Sequence, residues 1–191
     1  MAQKTLQTKR LTLSPLSDDH LEHEVVLDSD AEVLRYLSSK PRTREEVERA
    51  HAFRLEQSRE VEGLGVWAGF LRDEPHRFVG IWMLQPPHGP SQPKVPGEAD
   101  IGYRLRREFW RRGLAKEGSR ELMRYGFEEV GLERIFAQTM AVNTPSRATM
   151  ASLGMTFVRS FHEDHDEPLP GSDQGEVEYD MTREAWDMMA R

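Results

Sequence analysis

The chain has 191 residues, no cysteine, and a net charge of −7 from 26 basic and 33 acidic side chains. Disulfides, thiolate metal sites and a cysteine nucleophile are excluded, and the acidic balance argues against a nucleic-acid partner. No apolar run approaches the roughly 18 residues of a membrane span, and polar Met1–Arg10 lacks the apolar stretch of a leader. A single cytoplasmic domain over residues 1–191, without a membrane partner, is therefore expected.

Leu11 and Leu13 alternate with polar neighbours and predict a strand over Arg10–Leu13. Helices are predicted around Asp18–Leu27 and Ala31–Leu37. Thr43 and Glu46 have capping-box spacing and open a helix over Arg44–Glu60. Strands at Val66–Leu71 and Phe78–Leu84 flank the turn residues Asp73–His76. The stretch Pro86–Pro96 holds five of the eleven prolines. Proline feeds neither a sheet ladder nor a helix interior, so this is a long loop.

A strand at Ala99–Leu105 places Ile101, Tyr103 and Leu105 on one face. Ala115, Ser119, Leu122, Gly126 and Val130 recur at helical spacing, and Gly131 ends that helix. A strand at Arg134–Met140, a short helix at Ser146–Leu153 stopped by Gly154, and strands at Thr156–Phe161 and Val177–Met181 complete the chain. This alternation argues for a mixed α/β sheet with helices on its faces.

The turn between Leu105 and Leu114 carries chemistry. Gly113 permits close backbone approach, and the amides of Arg112, Gly113, Leu114, Ala115 and Lys116 belong to the loop and the first helical turn. With the positive end of the helix dipole, and with Arg111, Arg112 and Lys116 nearby, they suit phosphate groups. By itself the pattern reads first as an ordinary strand-to-helix turn with solvated arginines. Asn143 before Pro145 reads as an Asx turn, and Ser146 as an N-cap. Glu98 and Asp100 read as solvated carboxylates at a strand start. Trp67, Trp82 and Tyr36 read as core aromatics, with an acceptor wall as the second reading. His162 and His165, in an acidic run to Glu167, read as a solvated loop because Pro168 and Pro170 follow; no metal site is expected.

The strand ADIGYRL, the turn FWRRGLAKE, the strand IFAQTM and the segment NTPSRATMASLGMTF together resemble the GNAT superfamily of N-acetyltransferases. They are most similar to the branch that acetylates ribosomal-protein N-termini, as are TKRLTLSPL and DAEVLRYL. The resemblance runs from Thr8 to about Phe161. It implies the GNAT fold, an α/β architecture with a mixed sheet of about seven strands that splays between strands 4 and 5. It implies acetyl-CoA as cosubstrate, with its pyrophosphate on Arg111 through Lys116 and its pantetheine arm paired to Tyr103, Arg104 and Leu105. Asn143 would contact the pantetheine or the neighbouring backbone, and Ser146 or water would protonate the leaving thiolate, because Met150 stands where other branches have a tyrosine. Asp100, ranked above Glu98, would be the base.

Direct attack by the acceptor amine in a ternary complex follows, the acceptor being a protein N-terminus or a small-molecule amine. The branch often forms homodimers, which extends the expectation to this chain. A non-catalytic acyl-CoA-binding module on the same fold is the alternative from another class. The loop Pro86–Pro96 and the tail His162–Gln174 are expected to flank the acetyl end of the cofactor, with Glu163, Asp164, Asp166 and Glu167 making the cleft mouth negative.

Overall fold

A computed structural model describes residues 2–163 and 168–189. One sheet contains β1 (Leu6–Gln7), β2 (Leu11–Pro15), β3 (Gly65–Leu71), β4 (Phe78–Gln85), β5 (Glu98–Leu105), β6 (Arg134–Met140), β7 (Thr156–Phe161) and β8 (Glu176–Thr182). Their order across the sheet is β1-β2-β3-β4-β5-β6-β8-β7. Neighbours are antiparallel except β5 and β6, which run parallel.

The helices are α1 (Leu21–Asp28), α2 (Ala31–Leu34), α3 (Arg44–Glu60), α4 (Leu114–Tyr125), α5 (Thr144–Ser152) and α6 (Arg183–Met189). Helix α3 opens on the capping box expected of Thr43 and Glu46. Leu27 of α1 joins Val66, Ala68, Phe78 and Ile81 in one core cluster. Leu122 and Met123 of α4 join Trp67, Trp82, Ile101 and Leu105 in the other. Trp82 is fully buried, and its indole lies 2.5 Å from where a Cβ on Gly118 would stand. A glycine inside a helix costs about 0.5–1 kcal/mol; here it lets α4 lie close enough for Trp82 Nε1 to donate to the Ala115 carbonyl at 3.2 Å.

The parallel ladder has only three rungs, Glu98↔Arg134, Ala99↔Ile135 and Asp100↔Phe136. Beyond Asp100 the strands part, leaving Ile101–Leu105 and Ala137–Met140 facing a gap. This is the splay expected between the fourth and fifth strands; they become β5 and β6 once the short β1 is counted.

Several boundaries differ from the sequence reading. Strand β1 is two residues long, too short to show alternation. Helix α6 follows β8 directly, with no turn residue to announce it. Helix α2 ends at Leu34 rather than Leu37. The long helix is regular only to Tyr125 and finishes in a wider π turn over Gly126–Val130, closed by Gly131. Helix α5 begins at Thr144, because the Asn143 side chain accepts from the Ser146 N–H at 3.3 Å. Asn143 is thus the N-cap, which corrects the reading of Ser146 in that role.

Candidate active site

The segment after β5 turns sharply before entering α4. Arg111 has φ 57°, the one positive-φ non-glycine among the described residues, and Gly113 has φ 74°. Such backbone costs about 1–2 kcal/mol for an ordinary residue and points to a functional constraint. No side chain caps α4, so its first-turn N–H groups point outward without intrahelical partners. A Cβ on Gly113 would meet only Arg10 Nη2, at 3.6 Å. Arg111, Arg112 and Lys116 are exposed around the turn. Backbone donors, dipole and cations together make a place chemically suited to an anionic group such as a diphosphate.

The turn is braced from the other end of the chain. Arg10 donates from Nη1 to the Arg112 carbonyl at 2.9 Å and pairs through Nε with Glu117 at 2.6 Å. The Thr8 hydroxyl donates to the same carboxylate at 2.6 Å. Sequence reasoning missed Arg10, since nothing local announces a contact between residues about a hundred positions apart.

The open edge of β5 is the second component. Arg106 N–H donates to Val79 of β4 at 2.9 Å. By ladder alternation, Gly102 and Arg104 turn their backbone groups toward β4, while Tyr103 and Leu105 turn theirs to the gap. Trp110 Nε1 already donates to the Leu105 carbonyl at 2.8 Å. Arg104 does not belong with these residues, contrary to expectation. Its carbonyl lies against Gly80 of β4, and its guanidinium is 6% exposed and 3.0 Å from Asp28 on α1. Burial pushes that guanidinium down to about 10, against the pull of Asp28.

Across the gap, the Tyr103 hydroxyl reaches Ser146 Oγ at 3.2 Å. Burial holds the Tyr103 phenol above its ordinary value, partly offset by Ser146, so both hydroxyls keep their protons at neutral pH. Asn143 Nδ2 donates to Thr139 Oγ1 at 2.9 Å, tying α5 to the free half of β6.

Asp100 occupies the last rung before the gap, on the face opposite Tyr103. Burial raises its carboxyl to about 6, although a hydrogen bond from Gln92 and the proximity of His88 pull the other way. Part of its surface remains accessible. Glu98 lies two residues earlier, 2.9 Å from Arg134 Nη1 and away from the gap. The same guanidinium binds Glu178 at 2.6 Å and Asp180 at 2.7 Å. Glu98 is therefore a member of an ion-pair network, which corrects its candidacy as a base.

On the Asp100 face, a cavity of about 400 Å³ is lined by Tyr36, Ser38, Gln138, Glu163 and Glu176, among others. Tyr36 lines this cavity, whereas Trp67 and Trp82 are core. The proline-rich loop reaches the same place through Ser91, whose hydroxyl donates to Glu163 and lies 3.3 Å from Gln138 Oε1, the alternative acceptor for its one proton. Asp164, His165, Asp166 and Glu167 lie outside the described residues. His162 Nε2 lies 3.4 Å from the Asp173 carbonyl.

The family profile described as an acetyltransferase (GNAT) domain matches residues 10–156. The chain belongs to the GNAT acetyltransferase family. As a GNAT enzyme it is an acetyl-CoA-dependent N-acetyltransferase, and its relatives include named transferases. It is 42% identical over 188 residues to an FsC-acetyl coenzyme A-N(2)-transacetylase of Aspergillus fumigatus, covering 97% of this chain and 79% of that one. Two solved structures share the GNAT fold. A spermidine N-acetyltransferase from Vibrio cholerae, in complex with CoA and spermine, has a TM-score of 0.74 at 14% identity, covering 92% of this chain and 97% of its own. RimL, a ribosomal L7/L12 alpha-N-protein acetyltransferase in complex with coenzyme A, also has a TM-score of 0.74, at 19% identity, covering 95% and 99%. No helix among the described residues of this GNAT chain is long and apolar enough to cross a membrane.

Proposed function

We propose that the chain, as one catalytic domain, transfers acetyl directly to a primary amine of a small, polar, non-peptide acceptor. The observation that carries this reading is the gap opening immediately after Asp100, with an acid-range carboxylate on one face and paired hydroxyls on the other. Acetyl-CoA supplies an activated acyl group and a thiolate leaving group. Arg111, Arg112, Gly113, Leu114, Ala115 and Lys116 hold the diphosphate, with Tyr103, Leu105 and Asn143 along the pantetheine. Asp100, directly or through water, takes a proton from the incoming ammonium, so that nitrogen forms the new C–N bond as the C–S bond breaks. The Tyr103–Ser146 pair gives a proton to the departing sulfur and regains one from the second proton that nitrogen sheds on becoming the amide, so the net release is the single proton taken by Asp100. The base and the acid then serve opposite faces of the sheet, matching entry of the acceptor and departure of the thiol.

The cavity beside Gln138 is the acceptor site in this reading. Glu163 and Glu176 suit a cation, while Ser38 and Gln138 suit hydroxyl or amide groups. The similarity to a relative named an N(2)-transacetylase supports acetyl transfer to one defined nitrogen. Thiol release from acetyl-CoA across an amine panel tests it: small amines carrying amide or hydroxyl groups should turn over faster than peptides with free N-termini. Faster turnover of the peptides would reverse the acceptor assignment.

The acid role is separable from folding. Asn143, not Ser146, caps α5. Ser146→Ala should therefore leave the melting temperature nearly unchanged while lowering kcat roughly 10²-fold, the lower end of the range for general acid catalysis. An equal loss in acetyl-CoA affinity, with kcat unchanged, would assign Ser146 to binding instead.

A further inference from the structure

We infer that Gln92, on the proline-rich loop, is the positioning residue of Asp100: its side-chain amide is locked in one orientation and donates to the carboxylate at the last rung before the gap. The inference rests on the reading of Asp100 as the base.

The orientation follows from the hydrogen bonds at both ends of the amide. Gln92 Oε1 accepts from the His88 N–H at 2.9 Å and from the Gly89 N–H at 3.0 Å. Backbone N–H groups only donate, so the oxygen must point to them and the nitrogen the other way. Nε2 then donates to Asp100 Oδ2 at 2.9 Å and to Gln138 Oε1 at 3.0 Å. A flipped amide would set its N–H₂ against two backbone donors and its oxygen against a carboxylate. The loop's own turn thus fixes the donor.

The loop is also latched to the sheet independently of Gln92. Ser91 O accepts from Arg159 Nη2 at 3.1 Å, and the Ser91 hydroxyl donates its one proton to Glu163, with Gln138 Oε1 also within reach. Gln138 lines the acceptor cavity and donates from Nε2 to Glu178 at 2.8 Å. A chain of side-chain amides therefore links cavity wall and base. Without Gln92, the Asp100 carboxylate loses the hydrogen bond that Nε2 donates to it at 2.9 Å.

The surroundings set the sign of the effect. His88 on the loop attracts the Asp100 carboxylate, and Glu178 on β8 repels it. Arg134 on β6 and Arg159 on β7 are paired to Glu178, and Arg134 also to Glu98. Gln92 supplies the hydrogen bond that favours the ionised form. Removing that donor leaves burial less opposed, so the carboxylate should protonate at higher pH.

The test is the pH dependence of kcat/KM for Gln92→Leu in the full chain, with acetyl-CoA and an accepted amine, beside a direct titration of the Asp100 carboxyl by carbon-13 NMR. The acid limb should move up by about one unit or more, with the high-pH plateau largely retained. Ser91→Ala, which loosens the same loop without touching Asp100, should leave the limb in place. The NMR titration should move with the kinetic limb, and this reading holds even where turnover is weak. A limb and a titration unmoved in Gln92→Leu would overturn the inference while the base assignment stands, provided that Asp100→Asn abolishes the limb. A limb that survives in Asp100→Asn would overturn the base assignment and this inference with it. An equal shift in Ser91→Ala would attribute the effect to loop order and overturn the role of Gln92.

Discussion

Asp100→Asn should lower kcat/KM for acetyl transfer by about 10²–10⁴-fold, the usual contribution of a positioned general base. The amide retains the shape of the side chain and can still accept from Gln92, so acetyl-CoA affinity should change little. In the parent enzyme, kcat/KM should fall as pH drops below about 6, where the carboxyl takes up its proton. That limb should be absent from whatever activity the variant keeps.

Stability should move the other way. The carboxyl of Asp100 is raised in the folded chain from its ordinary 3.8 to about 6. A group raised on folding stabilises the native state below its unfolded value, and that stability is lost as pH rises through the folded value. At pH 7 the parent therefore carries an ionised, poorly solvated carboxylate, and Asp100→Asn should be more stable by at most about 3 kcal/mol. Denaturant melts at pH 7 and pH 4 check this, since the advantage should shrink at the lower pH. A variant that is less stable than the parent at pH 7 would show that the carboxylate is held by more than Gln92.

Gly113→Glu should weaken acetyl-CoA binding by roughly 10²–10³-fold. A carboxylate placed within about 4 Å of a phosphate in a partly solvated site costs about 4 kcal/mol. Part of any loss comes from backbone strain, because Gly113 sits at φ 74°. Gly113→Ala isolates that part, expected at about 1–2 kcal/mol of folding stability, with most of the affinity kept because the added methyl meets only Arg10. Calorimetric titration with CoA, read beside thermal melts, separates the two. Unchanged affinity in Gly113→Glu would remove the turn from the phosphate site.

Local patterns made most of the fold legible. The capping box at Thr43, alternation in β5 and the stop at Gly131 each depend on residues a few positions apart, which a sequence displays directly. The turn at Arg111–Lys116 was legible for the same reason: a glycine before a helix start is a local signal. The splay came only with the resemblance, because the length of a parallel ladder depends on how two distant strands twist. Arg104 and Glu98 were misplaced for a related reason. Alternation tells which residues share a face, but not that Asp28 or Arg134 waits on that face to take the charge. Gln92, Gln138 and Arg10 were invisible because glutamine and arginine in loops are ordinary; only the long-range hydrogen bonds distinguish them. Ser146 lost its capping role through a shift of two residues in the helix start, the kind of boundary that periodicity fixes poorly.

Trp110 gives the enzyme a built-in optical reporter. Trp67, Trp82 and Trp186 are buried, at 0%, 0% and 6% exposure, while Trp110 is 42% exposed and hydrogen-bonded to the gap edge at Leu105. Three indoles thus emit from buried positions, and one emits from beside the gap edge along which the proposed site would lay the pantetheine arm. Filling the gap changes the solvent around that single ring, so the red side of the intrinsic emission should follow occupancy while the blue side follows folding.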